Sequence, residues 1–134
     1  MMKTTNKKAE INGFRINAPY IKGEVWKEIK GYNKAYYVSN KGRVYSFNSN
    51  KLLKIQYIAG YYYIELSAKR KRKKYRLHRL VALYFIPNPN KKEIVHHIDG
   101  NAFNNDVTNL MWVTQQEHKA LHALMRQQKK GGTI

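Results

Sequence analysis

The chain has 134 residues, with 26 Lys and Arg against 8 Asp and Glu, and its formal net charge is +18. With no cysteine present, disulfides and thiolate metal sites are excluded. No apolar run approaches the roughly 20 residues that cross a bilayer, and the N-terminus lacks the apolar stretch of a signal peptide.

A cytoplasmic protein of one modest domain with appendages is therefore expected. A charge this high carries a self-repulsion cost and points to a polyanionic partner. Nucleic acid comes first and an anionic membrane surface second. No strongly amphipathic basic helix is visible, which counts against the membrane.

Residues 1–20 are polar, basic and without periodicity, and they read as a flexible arm. Residues 21–68 read as a module of small antiparallel hairpins. In it "AYYV" and "RVYSF" flank "SNKG", with Asn40 to Gly42 expected to supply the positive-φ positions. "KLLKIQYI" and "YYYIELSA" are two further strands joined at Ala59-Gly60. The run Lys69, Arg70, Lys71, Arg72, Lys73 and Lys74 reads as an exposed turn. At this net charge the turn is expected to contact phosphate, with Arg76 and Arg79 sharing the work. Leu77, Leu80, Val81, Tyr84 and Phe85 recur at helical spacing until "PNPN" ends the segment.

Residues 69–134 form the second part, with a compact core at about 93–128. "EIVHH" is a short strand, "IDGNAFNNDVTN" a loop opening on an Asp-Gly turn, and "LMWV" a second strand. Thr114 and Glu117 stand three apart in the capping-box arrangement, which starts a helix at Gln115 that runs to about Gln128. The fold class is thus α+β, with N-terminal antiparallel hairpins and one helix, then strand, loop, strand, helix.

Four of the five histidines lie in that last unit. His118 and His122 project from the same helix face, while His96 and His97 point to opposite faces of their strand. If the hairpin packs on the helix, His96, His118 and His122 converge on one divalent ion. Neutral imidazoles suit Zn or Ni, and Mg or Mn comes into range when water and phosphate oxygens fill the remaining positions. His97 is left beside the ion, pointing away from it, where it can take a proton from water. The Asn109 amide can bridge backbone groups of the loop and fix both histidines relative to the helix.

The string His97, then Asn109 after eleven residues, then His118 after eight, resembles the HNH nuclease motif. The strand-loop-strand-helix layout is that family's ββα-metal fold. "HHIDGN…NN…NLMWVT…EH" is similar to phage and intron-encoded HNH endonucleases, and "EVWKEIKGYNKAYYVSNKGRVYSF" resembles the small module that often precedes HNH domains in them. The resemblance covers roughly residues 23–122. It implies His97 as general base, Asn109 as the loop-ordering asparagine, and His96 and His118 as metal ligands. Relatives often carry Asp and Asn at the two ligand positions, so the all-histidine set departs from them. With His122 it is closer to the family's bacterial toxin nucleases.

The expected function is metal-dependent hydrolysis of double-stranded DNA, leaving 5′-phosphate and 3′-hydroxyl ends if the family's chemistry holds. One site per chain implies nicking, and a double-strand break needs a dimer or two successive events. Nothing long enough for a helix-turn-helix domain follows the motif, so sequence discrimination is expected to be modest or to come from the N-terminal hairpins. The resemblance implies a phage-encoded protein acting in a bacterial host, with homing, packaging and defence all open as its role. The competing reading is a non-catalytic DNA- or RNA-binding module with a structural zinc. A closed structural site usually has four ligands, and that reading leaves His97 without a purpose.

Overall fold

The computed structural model describes residues 7–131 as eleven short strands and two α-helices. The first two strands, β1 (Lys8–Ile11) and β2 (Phe14–Pro19), pair antiparallel. Asn12 and Gly13 make the turn between them, both at positive φ (51° and 83°), as the two-residue hairpin that matches strand twist requires. Ala9, Ile11, Ile16 and Ala18 are buried against Tyr37 and Tyr45 of the next sheet. The expected flexible arm is therefore corrected from residue 8 onward. Apolar residues alternate with polar and charged ones along both strands, and a core forms from them. The rest of the expected arm, residues 1–6, lies outside the described residues.

The second sheet has the order β3-β4-β5-β6, with β3 Trp26–Glu28, β4 Tyr36–Ser39, β5 Val44–Ser46 and β6 Lys51–Leu52. In its central turn only Gly42 has positive φ (83°). Asn40, expected to share that conformation, instead uses its side chain to join the start of the module. It accepts from Val25 N at 2.8 Å and donates to Gly23 O at 3.1 Å.

The third sheet comprises β7 (Gln56–Ile58), β8 (Tyr61–Ala68) and β9 (Lys71–Arg76). The single strand expected at "KLLKIQYI" is thus broken into β6 and β7, which belong to different sheets. The expected basic turn is also corrected: only Lys69 and Arg70 turn, at φ 49° and 66°. Lys71 to Lys74 continue as an edge strand beside β8. Charged side chains on such an edge keep it from pairing with other chains, so a lysine run and a strand are compatible here.

Helix α1 (Leu77–Phe85) buries Leu77, Leu80, Val81 and Ala82. Those side chains pack with Val38 and Val44 of the second sheet, Ile64 and Leu66 of the third, and Val95 and Leu110 of the last. One core therefore runs across the residue 68/69 division expected from sequence. The last sheet is β10 (Ile94–His97) against β11 (Leu110–Val113), with a 3₁₀ turn, Val107–Asn109, before β11. Trp112 is half-buried, and its indole donates to Ile86 O at 3.1 Å.

Helix α2 (Gln115–Gly131) starts at the expected capping box. Thr114 N donates to Glu117 Oε1 at 2.8 Å and Glu117 N donates to Thr114 Oγ1 at 3.1 Å. The helix continues three residues past the expected end. Among the described residues, no helix is long and apolar enough to cross a membrane.

Candidate metal centre and active site

Strand alternation divides the adjacent histidines. His96 is buried on the α2 side of β10, with its ring centroid 5.7 Å from that of His118 and 6.1 Å from that of His122. The capping box fixes where α2 begins, and its periodicity then brings His118 and His122 onto the face toward β10. One ring nitrogen from each of the three lies within 4.8 Å of the others.

The Nε2 atoms of His118 and His122 are 3.1 Å apart. Two imidazole nitrogens on one tetrahedral ion, each at about 2.05 Å, would be about 3.3 Å apart. The donor set therefore fits a single borderline divalent ion. Burial, then the neighbouring His118 and His122, hold the His96 imidazole below its usual range. Burial and His122 do the same for His118. Both shifts keep the rings neutral, the form that ligates metal.

His97 faces the other way. Its ring stacks on that of His78 in α1, with centroids 4.6 Å apart. Tyr61 stacks on His78 at 5.9 Å, and the Arg76 guanidinium caps Tyr61 at 4.3 Å. Nε2 of His97 lies 2.8 Å from Asn105 Oδ1. His78 is buried, and burial followed by the charge of His97, Arg76 and Arg79 lowers its pKa to about 3.

The loop between β10 and β11 is tied by Asn109. Its Oδ1 accepts from Asp99 N at 3.0 Å, and its Nδ2 donates to Asp99 Oδ1 at 2.8 Å and to Asn104 O at 2.9 Å. Hydrogen bonds from the Asn104 amide, the Asn101 backbone and the Asn109 amide hold the Asp99 carboxyl below its usual range. Asn109 thus bonds within the loop and does not reach the histidines directly.

All these histidines line one open cleft of about 870 Å³ that also takes in Arg76, Arg79 and Arg126. Of the eight basic residues expected to contact phosphate, only Arg76 and Arg79 line it. Arg79 also donates to Glu93 O and lies over the Trp112 ring at 5.4 Å. Lys69 to Lys74 are exposed outside the cleft. Arg126 escaped sequence reasoning, although it stands four residues after His122 on the same helix face. Asn105 escaped as well, since nothing in the spacing couples it to His97.

Comparison with known proteins places an HNH endonuclease domain at residues 75–120 and a NUMOD4 motif at residues 24–67. DNA endonuclease I-HmuI of Bacillus phage SP01 is 49% identical over 92 residues, covering 68% of this chain and 53% of that protein. An uncharacterised HNH endonuclease of Acanthamoeba polyphaga mimivirus is 43% identical over 105 residues, covering 78% of this chain and 31% of the relative. H-N-H endonuclease F-TflII of Escherichia phage T5 is 35% identical, covering 72% of this chain and 52% of the relative. The chain therefore spans about half or less of the length of these relatives. The solved structure of the HNH homing endonuclease I-HmuI, described as binding and cleaving DNA, superposes with a TM-score of 0.66. That match is at 43% identity and covers 82% of this chain and 60% of that one.

Proposed function

This chain belongs to the HNH endonuclease family, and from that premise we propose that it is a metal-dependent DNA endonuclease that nicks one strand per site. The observation that carries this reading is the division of labour along β10. His96 joins His118 and His122 on one face, and His97 stands free of that cluster on the other.

His96, His118 and His122 would hold the ion beside the cleft that all three line. A divalent ion held there supplies Lewis-acid polarisation of the phosphate and neutralises charge at the leaving oxygen. His97 takes a proton from the attacking water, and Nδ1 is the ring nitrogen free to do so, because Nε2 is engaged by Asn105. Attack at phosphorus from that side expels the 3′ oxygen, leaving 5′-phosphate and 3′-hydroxyl ends. Arg126 and Arg76 stand in the same cleft as positive charge for the phosphates that flank the scissile bond. The exposed edge strand β9 adds a sequence-independent contribution through Lys71 to Lys74.

Double-stranded DNA is the proposed substrate. Purified protein with Mg, Mn, Ni, Co or Zn should convert supercoiled plasmid to the nicked circle, and excess chelator should abolish the conversion. Folded protein that binds DNA and nicks with none of these ions would instead be a binding module with a structural metal.

A further inference from the structure

His97 is held by Asn105 and by His78, and Asn105 decides which nitrogen it offers. Asn105 is buried, with 8% of its surface exposed, and its side-chain oxygen lies 2.8 Å from His97 Nε2. An amide oxygen can only accept, so Nε2 carries the proton and Nδ1 keeps its lone pair. His78, stacked on the ring face at 4.6 Å, removes the remaining freedom to tilt.

Asn105 is itself fixed from both sides. Asn104, its neighbour, is tied to Asp99 and Asn109 by the loop bonds already described. On the other side it meets the turn between β4 and β5, which lies in the NUMOD4 segment. A Cβ at Gly42 would stand 3.0 Å from Asn105 O and 3.1 Å from its Cβ, so the turn fits against Asn105 because Gly42 has no side chain. Val107 N donates to Asn40 O at 2.9 Å, and Lys41 Nζ pairs with Asp106 Oδ2 at 3.3 Å. Three consecutive turn residues thus grip the three loop residues Asn105 to Val107.

We propose that Asn105 is a positioning residue that fixes the Nε2-protonated tautomer of His97, and that the N-terminal module contributes to catalysis by holding Asn105 in place. This rests on the reading of His97 as the general base. Loss of the acceptor leaves both tautomers accessible and the ring free to shift. Metal ligation through His96, on the opposite face of the strand, is untouched.

The test compares Asn105→Ala, Asn105→Asp and His97→Ala in the full chain. Each is assayed for single-turnover nicking of supercoiled plasmid with Mn and for zinc affinity by titration, and ¹⁵N NMR of the zinc-loaded protein reads the His97 tautomer. Asn105→Ala should slow cleavage about 10- to 100-fold, between the worth of one hydrogen bond and that of a 1 Å misplacement. Its zinc and DNA affinities should match the wild type, and its His97 signals should show mixed tautomers. Asn105→Asp keeps an acceptor oxygen in place and should recover most of the rate.

Wild-type cleavage by Asn105→Ala beside an inactive His97→Ala would overturn the role of Asn105 and leave the base in place. Wild-type cleavage by His97→Ala would remove the base and this proposal with it. An Asn105→Asp as slow as Asn105→Ala, or a His97 protonated on Nδ1 in the wild type, would also overturn the proposal.

Discussion

The buried ring of His78 makes the fold acid-sensitive in a way that can be sized. Burial first, and then the charge of His97, Arg76 and Arg79, lowers its pKa from 6.5 to about 3. The unfolded chain therefore takes up a proton as pH falls through 6.5, and the folded chain takes it up only near 3. Stability contributed at neutral pH is lost progressively across that window, because the unfolded state binds more protons there. Between pH 7 and pH 5 the loss comes to about 2 kcal/mol, and this figure hardly depends on the folded value so long as that value stays below about 4.

The assay is urea unfolding of the metal-free protein at both pH values, for wild type and His78→Phe, with chelator present. Phe keeps a flat ring between Tyr61 and His97 but cannot titrate. His96 and His118 are shifted in the same direction, so both proteins weaken on acidification. The wild type should lose about 2 kcal/mol more than the variant. Equal losses would mean that His78 takes up its proton as readily folded as unfolded, and the stacked arrangement would then be wrong.

Changing Lys71, Arg72 and Lys73 together to Ala should weaken binding to all DNA sequences alike. It should reduce the slope of log affinity against log salt by up to about 2.7, at about 0.9 per phosphate neutralised; an unchanged slope would mean that β9 lies outside the footprint. Asn109→Ala removes three hydrogen bonds from a buried position and should lower urea-unfolding stability by about 2–4 kcal/mol. A loss under about 0.5 kcal/mol, typical of a surface substitution, would show that the loop does not depend on it.

The last sheet and helix were legible from sequence because their information is local. Two histidines four apart, a Thr and Glu three apart, and a pair of short apolar strands each follow from one period or one cap. The hairpin of residues 8–19 was not legible, since its strands are short and bury only Ala9, Ile11, Ile16 and Ala18 among polar and charged residues. The basic run from Lys71 hid an edge strand because hydrophobic alternation is absent where both faces are wet. Asn105 and the stacking of His78 on His97 were missed for a different reason. The loop meets the turn at Gly42, and α1 meets β10, only after the chain has closed its long-range contacts, and no spacing along the sequence records that proximity.

The central claim is that β10 presents a ligand on one face and a base on the other, and comparing His97→Ala with His118→Ala tests it most directly. Each protein is titrated with metal by calorimetry and assayed in parallel for plasmid nicking. His97→Ala should bind metal like the wild type while cleavage falls by about 10² to 10⁴, the usual worth of a positioned general base. His118→Ala should lose metal affinity and cleavage together. A His97→Ala protein that loses metal as severely as His118→Ala, or one that cleaves at the wild-type rate, would contradict the account.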